Sequence, residues 1–276
     1  MSSPYVRDFD VAQLSSVAIR ARIRAGRHDG HTAGLAPGKL QCNLAILPED
    51  YALDFLRFCQ RNPKPCPVVG VSETGDPMLP TLGQDIDIRT DVPRYQVFRD
   101  GEFSDELTNI SDLWSENLVT VALGCSFTFE NALMRSGISV RHIEMGRNVP
   151  MFRSNIDLVT GGPFGGQMVV TMRPLREDQI DQAKEISARY PQAHGGPIAA
   201  GDPSAIGIAD LSQPDYGEPV DIKPGEVPVF WACGVTPQNV LRAARLPIFI
   251  THAPGHMLIT DVAEDAETTI YQNQPN

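Results

Sequence analysis

The sequence lacks several features that define whole classes of protein. None of its apolar runs approaches the roughly 20 residues that span a bilayer, and its start, MSSPYVRDFD, does not have the apolar stretch of a signal peptide. Positive charge is also scarce: 23 Lys and Arg stand against 34 Asp and Glu, for a net charge of -11. Nucleic acids and anionic membranes bind basic patches, so neither is an expected partner.

Cysteine and nucleotide-binding motifs are equally sparse. The five cysteines are odd in number, and no two of them form C-x-x-C, which fits neither a disulfide framework nor a zinc site. We expect reduced thiols and a cytoplasmic protein. The glycines of 161–166 have neither of the two glycine spacings that cradle phosphates. The sequence therefore predicts no cofactor and no metal.

What is present is a globular composition with an alternation of helical and strand patterns. Hydrophobic residues make up 42% of the 276 residues, which suffices for one large domain or two small ones. Periodicity and turn residues predict the following elements. The predicted helices begin near Val11, Pro48, Phe129, Arg176 and Thr236; the predicted strands include Val68–Val71, Leu118–Leu123, Ile138–Ile143, Met168–Met172, Val227–Ala232 and Ile248–Thr251; the predicted loops include 28–43 and 148–155.

Strands that alternate with helices favour an α/β fold with a mixed, partly parallel sheet layered with helices. We predict an inserted smaller α+β domain, residues 115–222. The α/β domain is then discontinuous, formed by 1–114 together with 223–276, and the active site lies at the interface. A homo-oligomer is compatible with this organisation.

Several uncommon strings run through most of the chain. They include TAGLAPGKLQCNLAILP (32–48), DIRTDVPRYQVF (87–98), GCSFTFENAL (124–133), NVPMFRSNI (148–156), GDPSAIGI (201–208), EVPVFWACGVTPQ (226–238) and ITHAPGHMLITD (250–261). Together these strings resemble the D-glutamate cyclase family from about Arg24 to Asp261. The resemblance implies a carbon–oxygen lyase, a hydro-lyase that cyclises D-glutamate to 5-oxo-D-proline with loss of water. The implied partner is a small-molecule carboxylate.

Such a cyclisation needs a base near the amine, donors for the developing oxyanion, an acid for the departing hydroxide and a cation for the α-carboxylate. GCSFTFE lies between a predicted strand and helix, so its backbone N–H groups can face an anion. Ser126 is a candidate substrate ligand there, and Glu130 is a candidate base or a partner of the helix dipole. Cys125 is either a nucleophile or a small core residue.

Charged residues of the following segments supply further candidates. On a strand, Arg141 and His142 would point to opposite faces, and His142 with Glu144 would form either an acid/base pair or a surface pair. Arg153, predicted in a loop among apolar neighbours, is the first candidate for the carboxylate anchor, because a guanidinium binds carboxylates bidentately. Arg173 is the alternate anchor.

The C-terminal third adds polar residues at turns. Asp202 precedes a proline and either contacts substrate or bonds its own backbone. Thr236 is a predicted helix cap and substrate ligand, and Gln238 offers an amide. His252 and His256 follow a buried strand, where open α/β sheets bind ligands. His252 is an acid/base candidate and His256 a substrate ligand; Pro254 and Gly255 between them forbid a helical metal motif.

Two other functions fit the same residues. One is a hydro-lyase acting on another small carboxylic acid. The other is a non-catalytic protein that binds a small acid. Turnover alone separates the enzymes from the binder.

Overall fold

In a computed structural model, Val11 and residues 14–266 are described. The helices are α1 Ser16–Arg24, α2 Glu49–Arg61, α3 Phe127–Arg135, α4 Arg141–Glu144, α5 Ile180–Ala188 and α6 Val235–Ala244. The strands are β1 Lys39–Pro48, β2 Val68–Val71, β3 Tyr95–Arg99, β4 Glu102–Leu107, β5 Leu118–Gly124, β6 Met151–Asp157, β7 Gln167–Arg176, β8 Ala199–Ala200, β9 Glu226–Ala232, β10 Phe249–His252 and β11 Leu258–Ala263.

The strands form two sheets. The seven-stranded sheet has the order β2-β5-β1-β10-β3-β4, and β11 pairs with β1 beside β10. The four-stranded sheet has the order β6-β7-β9-β8. The first sheet thus combines strands from both ends of the chain, while the second is built from residues 151–232. The predicted insert begins at 115, before β5, which lies in the first sheet; the division into two domains stays a prediction.

The predicted mixture of helices and strands is confirmed, but the predicted parallel pairing is wrong. Every pairing between the described strands is antiparallel. The chain does pass from β1 through α2 to β2, as in a parallel crossover. However, β5 fills the position between β1 and β2 and runs opposite to both. A strand added later in the chain therefore converts an expected parallel pair into two antiparallel ones.

Three local predictions also differ from the structure. Residues 39–43, predicted as loop, form the start of the long strand β1. This strand is buried on both faces, so its sequence lacks the alternation by which a strand is recognised. The segment 138–143, predicted as a strand, instead contains the helical turn α4. The segment 148–155, predicted as a loop because of Pro150, contributes β6 at the edge of the second sheet, where a preceding proline is tolerated.

Buried charges tie α1 to the end of the first sheet. Arg20, fully buried, donates to the carboxylate of Asp261 at 2.9 Å and to the backbone oxygen of Ile259 at 2.9 Å. It also pairs with Asp85. The early helix and the late strand β11 are thus held side by side.

One layer of helices covers the second sheet beside the site. Helices α3 and α5 pack on one face of the second sheet through Phe129, Leu133, Ala183, Ile186 and Trp231. The longest described helix, α2, has 13 residues. Among the described residues, no helix is long and apolar enough to cross a membrane.

Candidate active site

Arg173 is the centre of a polar cluster buried between α3 and the second sheet. It lies on β7, and its side chain is 1% exposed. The guanidinium carbon lies 5.1 Å from the ring centre of Phe129 and 5.3 Å from that of Trp231. The two rings are themselves neighbours, with centroids 5.9 Å apart, so the cation lies against an aromatic pair and is attracted by both ring quadrupoles.

Hydrogen bonds fix the remaining directions of this guanidinium. Nη1 donates to the Thr171 hydroxyl at 2.9 Å, and Nη2 donates to the Ser126 hydroxyl at 3.1 Å. Nε donates to Oε1 of Glu130 at 3.2 Å, and Nη2 makes a second, shorter bond to the same oxygen. Arginine has five N–H donors. One N–H on Nη1 therefore remains for a further acceptor.

Glu130 is the only carboxylate that these bonds bring to Arg173, and it also contacts His142. Oε1 of Glu130 lies 3.3 Å from Nε2 of His142, and both side chains are at least 95% buried. Burial alone would raise the pKa of Glu130, but the charges of His142 and Arg173 outweigh it and lower the pKa to about 2. Glu130 is therefore an ionised carboxylate with little basicity, which argues against the predicted role of general base.

The helical turn α4 explains how His142 reaches this cluster. On the predicted strand, His142 and Glu144 would share a face; on the helical turn they do not. Arg141 instead pairs with Glu144 three residues on at 3.0 Å and with Glu226 at 2.5 Å. His142 turns inward, where it is 4% exposed. The predicted His142–Glu144 pair is thus wrong, and Glu130 takes the place of Glu144.

Two strand-to-helix turns lie beside the cluster, and each carries a buried cysteine. The sulfur of Cys125 accepts the N–H of Phe127 at the start of α3, and that of Cys233 accepts the N–H of Val235 at the start of α6. Burial raises the pKa of Cys125 to about 12 and that of Cys233 to about 11. Both thiols are therefore protonated at neutral pH and are poor nucleophiles.

Asn43 of β1 holds these two turns together. Its side-chain amide donates to the carbonyl of Gly124 at 2.9 Å. A Cβ on Gly234 would lie 2.4 Å from the same amide, so only glycine allows this approach. The turn of α3 and the turn of α6 therefore meet on one side chain of the first sheet.

A second polar group contains His252, His256 and Gln238. Nδ1 of His252 accepts the backbone N–H of Leu44 at 3.1 Å, and the amide of Gln238 lies 3.4 Å from its Nε2. The ring of His256 lies 4.6 Å from that of His31. Burial, with a smaller effect of His256, lowers the pKa of His252 to about 3. His252 is thus a neutral, fully buried imidazole, and this group is separate from the Arg173 contacts.

A metal site has no ligand set in the part of the chain that the structure describes. No three His, Cys, Asp or Glu side chains converge there in a way that could hold an ion. The expectation of no metal and no cofactor stays a prediction.

Three predicted residues lie outside both polar groups. Arg153 is on β6, not in a loop; its side chain is 64% exposed and donates to the Tyr216 hydroxyl at 3.0 Å. The Arg153 guanidinium is therefore hydrated and not desolvated, contrary to the prediction. Asp202 is exposed and accepts from the N–H of Ser204, as expected of a turn residue. Thr236 is not the helix cap, since Gly234 precedes α6; its hydroxyl instead accepts from the N–H of Val169 at 3.0 Å.

Asn43, Thr171 and Trp231 are neighbours of the site that are not among the candidates predicted from the sequence. Trp231 looks like core in any apolar strand, and only the register of β7 with β9, which pairs Thr171 with Trp231, brings it to Arg173. The one available signal was the period of two on β7, which sets Thr171 and Arg173 on the same face. Their common face could have been predicted; their partners could not.

Comparison with known proteins gives the class of this fold and site. The chain is 76% identical to a protein of Jannaschia sp. (strain CCS1) over 94% of this chain and 97% of that one. It is 60% identical to one of Ruegeria pomeroyi over 96% of both, and 59% identical to one of Dinoroseobacter shibae over 93% of this chain and 85% of that one. All three bear the name "Putative hydro-lyase". These relatives place the chain among the lyases, and within them among the hydro-lyases.

The family follows from a second comparison. The family described as D-glutamate cyclase matches residues 119–261, just over half of the chain. The chain belongs to the D-glutamate cyclase family, and the resemblance drawn from its sequence strings is confirmed. The matched region contains every residue that bonds to Arg173, together with Gln238, His252 and His256; Leu44 and His31, which contact the two histidines, lie outside it.

Proposed function

We propose that this protein cyclises D-glutamate to 5-oxo-D-proline with loss of water, and that the reaction takes place at the Arg173 cluster. The observation that carries the proposal is the meeting of Arg173, Glu130 and His142, three ionisable side chains from three elements, each less than 5% exposed. Buried charges in such an arrangement are typical of active sites. Family membership supports the choice of reaction.

Arg173 takes the role of carboxylate anchor, for which Arg153 is the first candidate in the sequence. Its guanidinium is desolvated, lies against the paired rings of Phe129 and Trp231, and still has one unused N–H donor. A carboxylate that enters can also receive the hydroxyl proton of Ser126, whose oxygen already accepts from Arg173. Such a fixed fork selects a carboxylate and holds the molecule in a bent conformation.

His142 is the acid/base residue in this proposal, and Glu130 is a positioning residue. A carboxylate with a pKa of about 2 does not accept the proton of an amine, but it orients an imidazole and a guanidinium at once. His142 can then protonate the oxygen that leaves the γ-carboxyl group. Cys125 remains a thiol and takes no covalent part, since ring closure by the substrate's own amine needs no protein nucleophile.

The test is incubation of the purified protein with D-glutamate and, separately, L-glutamate, followed by chiral chromatography for 5-oxoproline. We expect one equivalent of 5-oxo-D-proline for each D-glutamate consumed. Conversion of neither enantiomer, together with dehydration of another small hydroxy acid, would support the broader hydro-lyase function instead. Binding of D-glutamate by calorimetry without any product would support the small-acid-binding protein.

A further inference from the structure

His194 is a buried histidine that the proposed mechanism does not yet use. It follows a short 3-10 turn, Pro191–Ala193, and its backbone is left-handed with φ of 76°. Its side chain is 1% exposed. Nδ1 lies 2.8 Å from the backbone oxygen of Lys64. Because a carbonyl can only accept, Nδ1 carries the proton and Nε2 has the lone pair.

The Nε2 atom is the unusual part of this side chain. It is buried and has no hydrogen-bond partner among the described residues. Buried polar atoms of proteins are nearly always paired, so an unpaired acceptor points to a ligand that supplies a donor. Burial, opposed by the bond to Lys64 and assisted by the positive charges of Arg173 and Lys64, lowers the pKa of His194 to about 4. At neutral pH, Nε2 is thus a free acceptor.

The backbone around His194 is packed against the turn that begins α3. A Cβ on Gly124 would lie 1.5 Å from the carbonyl oxygen of Gln192, so the two segments are in direct contact. Two residues after Gly124, Ser126 bonds to Arg173. His194 and Arg173 are therefore neighbours in one buried region, one with an unused acceptor and the other with an unused donor.

We propose that His194 receives the ammonium end of the substrate, with Nε2 accepting its hydrogen bond and then its proton as the ring closes. This inference rests on the proposed function. An α-amino acid presents a cationic donor next to an anionic acceptor, and the pair Nε2 of His194 and guanidinium of Arg173 complements both. The charge of Arg173 is one of the causes that lower the pKa of His194, and a substrate carboxylate bound to Arg173 offsets that charge, so Nε2 becomes more basic when the substrate is bound.

The proton balance of this step closes without a further reactant. The α-ammonium gives one proton to Nε2, and the amine lone pair forms the bond to the γ-carboxyl carbon. The nitrogen then gives a second proton to one carboxyl oxygen, and His142 gives a further proton to the same oxygen, which leaves as water when the C–O bond breaks. The proton held on Nε2 of His194 replaces the one that His142 gave, so both imidazoles return to their starting states. The nitrogen enters with three hydrogens and keeps one.

The first experiment is NMR of protein labelled with ¹⁵N-histidine, titrated with D-glutamate and with glutarate, which has both carboxylates and no amine. We expect D-glutamate to move the Nε2 resonance of His194 toward that of a hydrogen-bonded nitrogen, and glutarate to leave it in place. The resonance is assigned by its absence in His194→Asn. No movement with D-glutamate, or equal movement with glutarate, overturns the proposal whether or not the protein turns over D-glutamate.

The second experiment compares kinetics of His194→Asn with those of His28→Asn. Asparagine tolerates left-handed backbone and its amide oxygen can accept a hydrogen bond, but it cannot take a proton. We expect kcat to fall by about 100-fold or more with KM within about threefold. His28 also has a buried Nε2 without a partner among the described residues, and its variant should keep the wild-type kcat.

These outcomes separate the two proposals. A wild-type protein that makes no 5-oxoproline counts against the proposed function, and the NMR titration then decides on His194 alone. A wild-type protein that makes 5-oxoproline while folded His194→Asn keeps its kcat counts against His194 only. A lower melting temperature with unchanged kcat would mean a structural histidine and overturns the inference.

Discussion

Nε2 of His142 lies 3.3 Å from Oε1 of Glu130, and the same oxygen accepts from Nε of Arg173 at 3.2 Å. One carboxylate oxygen therefore contacts both an acid/base residue and a cation, which lie on different elements. Loss of its charge would leave the guanidinium buried and uncompensated.

We expect Glu130→Gln to destabilise the fold by about 3–5 kcal/mol, because it removes one partner of a buried ion pair. It should also lower kcat in the molecules that stay folded, since both Arg173 and His142 lose their orientation. Urea unfolding and turnover normalised to folded protein measure the two effects. The control is Glu144→Gln, whose partner is Arg141 and whose side chain is 46% exposed; this change should cost less than about 1 kcal/mol. Equal effects of the two variants would contradict the prediction.

The two arginine candidates are separated by matched substitutions. Arg173→Lys replaces a planar group that bonds Glu130, Ser126 and Thr171 at once by a point charge, and it should lower kcat/KM by the equivalent of about 1–3 kcal/mol. Arg153→Lys, at a side chain that is 64% exposed, should change stability and kcat/KM by less than about 0.5 kcal/mol. Steady-state kinetics with D-glutamate decides between them. A large kinetic loss in Arg153→Lys alone would return the anchor to β6.

Cys125→Ser should keep kcat within about threefold of the wild type. The thiol, with its pKa raised by burial to about 12, is not a thiolate at neutral pH, and serine can still accept the N–H of Phe127. The measurement is turnover together with a melting curve. Cys59→Ser, another buried cysteine on α2, controls for the general cost of a hydroxyl in the core. Complete loss of turnover in a folded Cys125→Ser protein would point to a covalent thioester.

As the pH is lowered from 6.5, the free energy of unfolding should decrease before Glu130 begins to titrate. The folded pKa of His252 is about 3 and that of His194 about 4, both below the usual 6.5, so the unfolded chain binds more protons from pH 6.5 downward. These two histidines therefore do not reduce the free energy of unfolding above pH 6.5, and they reduce it increasingly as the pH falls toward 4. Below pH 4.5, the lowered pKa of Glu130 adds a further loss in the same direction.

Urea titrations between pH 6.5 and 4.5 measure this slope. Each buried histidine contributes about 1.4 kcal/mol per pH unit. His252→Gln should reduce the wild-type slope by about that amount, whatever its effect on stability at pH 7. Identical slopes in the two proteins would show that His252 is not held neutral by burial.

The sequence predicted local elements of the site better than their partners. Local sequence predicts the turn at Gly124 and the helix bearing Glu130, because an apolar strand, a glycine and a helical face follow one another within a dozen residues. The bond from Arg173 to Glu130 spans 43 positions, and that from His194 to Lys64 spans 130. Contacts of this kind depend on sheet register and packing, which no local period encodes.

The wrong predictions also arise because local sequence does not encode long-range packing. The run 138–143 is too short to distinguish the strand period of two from the helical period of 3.6, so its pattern predicts the wrong face for His142. Arg153 was expected to be buried because its neighbours are apolar, yet alternation on an edge strand exposes it. The parallel sheet was expected from local order, and β5, from further along the chain, took the central position.

The strand order also has a consequence for synthesis of this protein on the ribosome. Among the described strands, β10 alone joins the hairpin of β3 and β4 to β1, and β11 completes the edge of β1. The hairpin therefore leaves the ribosome long before the strand that anchors it. Until residues 249–263 emerge, the hairpin and β1 expose unpaired backbone edges, which invite association with other chains. The first sheet therefore closes only after residues 249–263 have been synthesised, later than every other strand in it.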